Sequence, residues 1–309
     1  GWRELTNRMG YWLDLDNPYI TCKNDYVESV WWSLKQFFDK GLIYKSFRIT
    51  PQSPTLETPL SSHELSLGYK DVRDPNCYIK LPVLATTLKA IEGAQILVWT
   101  TTPWTLISNT ALAVSAELDY VLVQNKREVK QGETKTTIED KLVLAEALLG
   151  KLDGSYEILA KFKGVDFLGT QYEPPFPGMI PASREEFPDM HTVLAGDFVS
   201  ASDGSGVVHL APAFGADDFE MTKKFKLPFF NPVSPGGRFT DKAKEFAGRT
   251  VKTFTYPDPS TGGTRTEEGA DKDIVIALKK ADKIYRSTND YLHSYPHCWR
   301  TGNPVIYYA

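Results

Sequence analysis

The sequence predicts a mixed α/β fold that is mainly β, with a barrel-like sheet core and helices around it. Short apolar runs rich in β-branched and aromatic residues crowd the stretch from Cys77 to Phe167. The turns between them are too short for the helical crossovers of a regularly wound parallel sheet. Helical periodicity is confined to a few stretches, the clearest at 26–40 and 270–284. With 309 residues, 41% apolar and 24% charged, the chain can bury a substantial core and form one or two ordinary globular domains.

Taken in order, the first strong element is a helix from Tyr26 to Lys40. Val27, Val30, Trp31, Leu34, Phe37 and Phe38 recur at helical spacing. Asp25 and Glu28 stand at capping-box spacing, and Gly41 supplies a stop. A face so rich in tryptophan calls for a partner surface. Arg48 to Glu64 reads as loop with short extended pieces. Strands are expected at Tyr78–Leu84, Ile96–Thr102, Tyr120–Gln124, Lys141–Leu144 and Tyr156–Phe162, with a helical piece at 145–152. Lys126–Thr137 reads as an exposed polar hairpin, and Pro174–Pro177 as an irregular loop. Phe198–Ser200 and Val207–Leu210 return to strand, and Asp217 opens a helical pattern that runs to Lys226. The Pro, Ser, Thr and Gly of 257–269 point to a mobile loop. Ala270, Ile274, Ala277, Leu278, Ala281 and Ile284 then share one helical face, and 291–309 turns extended.

Composition narrows the function classes. No apolar run approaches the ~20 residues that span a bilayer, and no leader opens the chain. A cytoplasmic setting is expected, without membrane contact. Gly1 stands without a methionine, which suggests a piece of something longer. Cys22, Cys77 and Cys298 are odd in number and far apart, so no disulfide framework is expected. Lys and Arg number 35 against 39 Asp and Glu, a net charge of −4. Nucleic-acid binders usually carry a basic excess, so any such contact must be local. Lys223, Lys224, Lys226, Lys279 and Lys280 are the candidates, although a solvated helix face accounts for them better.

Two stretches carry chemistry. In the first, Ile96-Leu-Val-Trp99 is a buried strand, and Thr100, Thr101 and Thr102 follow before Pro103 removes a donor. Strand alternation sends Thr100 and Thr102 to one face and Thr101 to the other. Thr105, Ser108 and Asn109 lie beyond. Hydroxyls donate and accept, so this end suits a ligand with sugar hydroxyls and an ester carbonyl; threonine is also simply a good strand residue. In the second, Gly204 and Gly206 permit a bulge or a close approach to a ligand, and Val207–Leu210 reads as a strand. Pro212 ends it, Gly215 turns the chain, and Asp217 and Asp218 open the helix. Capping needs one of these acids, which leaves the other for a cationic group.

Together these stretches resemble the editing (CP1) domain inserted into class I isoleucyl-tRNA synthetases, the type shared with valyl and leucyl relatives. The matching runs are Trp-Thr-Thr-Thr-Pro-Trp-Thr-Leu through Asn109, and Gly204 through Asp218. The flanks Tyr26-Val-Glu-Ser-Val-Trp-Trp32 and Tyr295-Pro-His-Cys-Trp-Arg300 look similar as well, so the resemblance covers nearly the whole chain. Valyl and leucyl relatives usually carry Thr-Thr-Arg-Pro where this chain has Thr-Thr-Thr-Pro, which favours the isoleucyl branch. The resemblance implies three parts: a helical stem of the synthetase core at 1–45, an editing domain at 46–290, and a return strand at 291–309 that packs near the stem. Many relatives resemble a zinc knuckle at 51–61, where this chain has no cysteine, and Cys298-Trp-Arg-Thr301 keeps one thiol of two. One Cys plus His297 cannot close a tetrahedral site, so no structural metal is expected.

The same resemblance implies hydrolysis of the ester in valyl-tRNA(Ile). Asp218 would hold the α-ammonium, and Thr101 and Thr102 would act with it on the ester. Trp99, Thr100, Thr105, Asn109, Gly206, His209, Phe214 and Asp217 would bind substrate, with Asn109 supporting the turn and His209 keeping isoleucine out by size. Partners would be the 3′ end of tRNA(Ile) and the rest of the synthetase chain. No cofactor is expected for editing, since ATP and Mg serve the synthetic domain. His-Ile-Gly-His and Lys-Met-Ser-Lys-Ser are absent from this sequence, so aminoacylation is not expected of it alone. An acceptor-end binding or structural insert without catalysis is the alternative. A metal-dependent hydrolase built on His209 with Asp217 or Asp218 ranks below both.

Overall fold

A computed structural model describes residues 1–131 and 134–309, which divide into two units, Gly1–Phe47 and Arg48–Ala309. The first unit holds two helices, α1 (Trp2–Arg8) and α2 (Asn24–Asp39). Gly41 ends α2 as expected, taking φ +69° while the Leu42 N–H returns to the Phe37 carbonyl at 2.9 Å. The start differs from the capping-box expectation. Lys23 is the N-cap and makes no side-chain cap, because the helix begins two residues earlier and carries Asp25 inside its first turn. No residue of α2 is buried. Trp31, Trp32, Leu34, Phe38 and Ile43 line an apolar hollow of about 640 Å³.

The second unit opens with β1 (Thr50–Ser53), β2 (Thr58–Pro59) and α3 (Ser62–Ser66). The long strand β3 (Tyr69–Ala85) and β4 (Gln95–Thr100) follow, and a 3₁₀ helix, Pro103–Ser108, leads into β5 (Ala111–Val114). β6 (Asp119–Gln131) and β7 (Thr134–Ala145) pair as an antiparallel hairpin. The tip of the expected polar excursion, 132–133, lies outside the described residues. A 3₁₀ turn, Glu146–Lys151, precedes β8 (Ser155–Lys163) and α4 (Gly164–Phe167). Then come β9 (Gln171–Tyr172), β10 (Val193–Ala195), β11 (Val207–Leu210) and α5 (Ala216–Lys224). β12 (Phe254–Asp258), β13 (Gly263–Glu267), α6 (Asp271–Lys280), β14 (Ile284–Pro296) and β15 (Ile306–Tyr308) complete the unit.

Strand outweighs helix, and the fold is the mixed, mainly β class read from the sequence. The main sheet runs β14-β3-β4-β7-β6-β8, with β9 on β3, and curls into a half-barrel. A second sheet runs β10-β5-β11, and a third runs β15-β1-β2. Two-residue alternation explains why the central strands are apolar throughout. Ile96, Val98, Tyr120, Leu122 and Val143 enter the large core, while Leu97, Val121, Val123, Leu142 and Leu144 pack with Tyr78 and Tyr285 on the other face. Each such side chain contributes roughly 1.5–3 kcal/mol by leaving water. Among the described residues no helix is long and apolar enough to cross a membrane.

Several local expectations are overturned. The mobile loop at 257–269 is a hairpin, β12 against β13. Its turn is set by Asp258, whose carboxylate accepts the Ser260 N–H at 3.0 Å and the Thr261 hydroxyl at 2.9 Å. Phe198–Ser200 is not a strand; Val193–Ala195 is, and Gly196 turns the chain after it. Ile284 lies in β14, not on the helix before it. Asp282 takes φ +54° and the Lys283 N–H returns to Leu278 at 2.9 Å, which stops α6 short. β14 itself shifts register against β3 between Thr288 and Tyr291.

One side chain ties the sheet to the segment that delivers β11. Tyr120 is fully buried; its hydroxyl donates to the Gly206 carbonyl at 2.7 Å and accepts the Ser115 N–H at 3.2 Å. Tyr120→Phe strands both backbone groups, so its expected cost is about 1–3 kcal/mol, read from chemical denaturation. An unchanged midpoint would show that these bonds contribute nothing.

Candidate active site

The site forms where β4 gives way to the 3₁₀ helix. β4 ends at Thr100, two residues earlier than expected, because the Thr102 N–H turns back to the Thr100 hydroxyl at 3.0 Å. Pro103 then occupies the first helical position, where its missing N–H costs nothing. The kink cancels strand alternation. Thr100, Thr101, Thr102 and Thr105 all face one cavity of about 290 Å³, so Thr101 does not point away as expected.

The hydroxyls form a chain. Thr100 Oγ1 and Thr102 Oγ1 are 3.2 Å apart, and Thr102 Oγ1 and Thr105 Oγ1 are 3.4 Å apart. Thr105 Oγ1 donates to the Thr102 carbonyl at 2.8 Å and lies 2.8 Å from His209 Nε2. When its one proton goes to that carbonyl, the imidazole must donate from Nε2. Nδ1 then remains a buried acceptor with no partner among the described residues. The Thr101 hydroxyl also has no protein partner among the described residues.

β11, the turn after it and α5 supply the opposite wall: Val208, His209, Ala211, Phe214 and Asp218. His209 sits opposite Leu112 of β5, and burial lowers its pKa to about 4. It is a neutral ring at neutral pH and a weak base there. Phe214 meets Trp104 edge to face, with ring centres 4.7 Å apart. Gly215 is the N-cap of α5 and makes no side-chain cap. Asp218 Oδ2 instead accepts the Ala211 N–H at 2.8 Å, which pins the turn between strand and helix. A Cβ on Gly215 would stand 2.7 Å from the Asp218 carboxyl carbon, so a larger residue there would displace that carboxyl. Burial raises the Asp218 pKa to about 6; the Ala211 N–H opposes the shift and the charge of Asp217 adds to it.

Eight of the expected residues therefore share the cavity: Trp99, Thr100, Thr101, Thr102, Thr105, His209, Phe214 and Asp218. Three do not line it. Asn109 is buried behind the 3₁₀ helix, where its Oδ1 accepts the Tyr172 hydroxyl at 2.7 Å and its Nδ2 donates to the Ala111 carbonyl at 3.1 Å. Gly206, at φ +74°, makes its close approach to protein; an added Cβ would stand 2.4 Å from the Ala145 Cβ. Asp217 is exposed on the first turn of α5. Val208 and Ala211 were missed; alternation from His209 and a short side chain were readable signals for Ala211, whereas alternation sends Val208 to the opposite face. Lys223 pairs with Glu220 at 2.6 Å, as a solvated helix face would.

Among the described residues no three His, Cys, Asp or Glu side chains could hold a metal ion together. Where relatives resemble a zinc knuckle, this chain buries Cys298 beside Leu60 and Val305, and Thr55 bonds to Thr301 at 3.1 Å. That donor set does not suit zinc.

The raised pKa has a stability consequence with a definite sign. A folded-state pKa near 6, above the ordinary 3.8, means that the fold favours the protonated acid. The penalty is absent below the ordinary value and fully felt above the raised one. Asp218→Asn keeps an acceptor for the Ala211 N–H, so its expected effect near pH 7.5 is stabilisation by up to about 3 kcal/mol, fading below about pH 4. Equal stability of variant and parent across that range would contradict a buried, ionised carboxyl.

The family model "tRNA synthetases class I (I, L, M and V)" matches residues 1–295. The isoleucine--tRNA ligase of Clostridium acetobutylicum is 42% identical over 307 residues, covering 99% of this chain and 26% of that protein. The isoleucine--tRNA ligase of Thermobifida fusca is 40% identical over 309 residues, with coverage of 99% and 26%. The chain thus spans about a quarter of the length of these relatives. Among solved structures, a P. knowlesi cytosolic leucyl-tRNA synthetase editing domain aligns at TM-score 0.39 and 12% identity, covering 77% of this chain and 97% of that one. On the family match, which takes in nearly every residue, the chain belongs to the class I tRNA synthetases of the I, L, M and V group.

Proposed function

We propose that this cavity is a post-transfer editing site, which hydrolyses the ester joining valine to the 3′ end of tRNA(Ile). The observation that carries the reading is a half-buried carboxylate, Asp218, facing a row of threonine hydroxyls across one small cavity. An ionised carboxylate only accepts, so it suits an α-ammonium through a charge-assisted bond and disfavours a free acid. The Thr101 and Thr102 hydroxyls hold the ester carbonyl and the attacking water, and Thr100 and Thr105 keep that row in register. An aminoacyl ester is labile, so positioning and polarisation suffice without a nucleophilic side chain. His209 and Phe214 form the wall that meets the amino-acid side chain. A pocket tells valine from isoleucine by one methylene, worth roughly 1–3 kcal/mol.

In this reading no cofactor takes part in editing, and ATP and Mg serve a synthetic domain outside this chain. Residues 1–45 and 291–309 join the editing part to that domain, which covers the apolar face of α2 in the cytoplasm. The net charge of −4 favours one competing reading, an acceptor-end binding insert that lacks catalysis of its own.

Deacylation of valyl-tRNA(Ile) beside isoleucyl-tRNA(Ile) separates the two. Valine alone is lost with the parent chain, and Asp218→Ala lowers that rate roughly 100-fold or more. The ammonium needs the ionised acid, so the rate rises with pH through about 6 and then levels. If neither ester is cleaved, the binding-insert reading replaces this one.

A further inference from the structure

The 3₁₀ helix that follows the threonine run and carries Thr105 has a short list of N-terminal donors. Pro103 has no N–H, and the Thr105 N–H goes to the Thr102 carbonyl at 3.1 Å. The Trp104 N–H between them finds no carbonyl in its own turn. It donates to Asp271 Oδ1 at 2.9 Å, a contact across 167 residues. Asp271 is the first residue of α6 and is buried. Its other oxygen, Oδ2, lies 3.7 Å from Lys252 Nζ. Lys252 is itself buried and bonds Asp74 of β3 at 2.8 Å, and His293 of β14 meets the same Asp74 oxygen at 3.1 Å. These charges pair inside a second cavity of about 450 Å³, where the editing reading gives them no part.

A buried ion pair is a poor source of net stability, because desolvation offsets its attraction. What this one supplies is direction. Lys252 holds the Asp271 carboxylate so that Oδ1 stays aimed at a single backbone donor. Trp104 packs on Phe214 of the cavity wall, and Thr105 beside it bonds His209. A loosened Trp104 amide would therefore move hydroxyls and wall together.

We propose that Asp271 is a positioning residue for the editing reaction: it fixes the threonine-bearing 3₁₀ helix through the Trp104 amide and never touches substrate. The proposal rests on the editing reading above. It separates two properties that a structural residue would lose together. Asn at this position keeps an oxygen for Trp104 and loses the charge, whereas Ala loses both.

The test compares Asp271→Asn and Asp271→Ala in a complete synthetase chain that carries these residues. Steady-state deacylation of valyl-tRNA(Ile), thermal midpoint and hydrogen exchange at the Trp104 amide are measured on each. The Ala variant loses roughly tenfold or more in kcat while KM stays within about threefold. The Asn variant keeps kcat within about threefold and keeps the amide protected, although both variants lose thermal stability. Equal loss of kcat in the two variants, or full kcat in the Ala variant, overturns the proposal. If the parent cleaves no ester, the editing reading fails on its own, and exchange at the Trp104 amide still decides whether Asp271 holds the turn.

Discussion

The site depends on one hydrogen bond, from the Ala211 N–H to Asp218 Oδ2 at 2.8 Å. It joins the end of β11 to the first turn of α5 and holds there a carboxyl whose partial burial raises its pKa to about 6. Such a group is unstable as an ion unless something cationic reaches it. Everything around it follows from that tension. Gly215 is bare because a side chain would strike the carboxyl. Asp217 points to solvent, close enough to raise the pKa and too exposed to share the cavity. In the editing reading, this local loss of stability is offset when an ammonium binds.

The scaffold holds the two walls from behind. β5 is the middle strand of the small sheet, so β11 inherits its register, with His209 fixed opposite Leu112. Asn109, Tyr172 and the Ala111 carbonyl close the far end of the 3₁₀ helix, and Asp271 closes the near end. The hydroxyl row is thus clamped at both ends by buried side chains drawn from distant parts of the sequence. Sites held in this way lose reactivity through small displacements more readily than through lost contacts.

Much of this was legible in the residues. The threonine run before Pro103 marked a strand end rich in hydroxyls, and Gly215 with Asp218 marked a strand-to-helix turn. The apolar runs between Cys77 and Phe167 announced the sheet. Other features depend on partners that local pattern does not reveal. Alternation placed Thr101 on the wrong face because it has no term for a hydroxyl that captures its own strand's next amide. Asn109 and Gly206 read as ligand groups, since a buried amide and a left-handed glycine serve protein and ligand contacts equally well. Their partners, Tyr172 and Ala145, lie 63 and 61 positions away in sequence. Asp271 was not singled out, since an acid at a helix start names no distant partner, and only the tertiary fold brings it to Trp104.

The editing reading has Asp218 recognise an ammonium group inside a hydroxyl-lined cavity. Its most direct test is the binding of two non-hydrolysable 3′-amide analogues of valyl-adenosine, one with the α-amine and one with a hydroxyl in its place. The amine analogue should bind the parent roughly 10-fold or more tightly than the hydroxyl analogue at about pH 7.5, and that preference should vanish in Asp218→Asn and below about pH 5. Equal binding of the two analogues by the parent would show that the carboxylate reads no ammonium, and the account would fail.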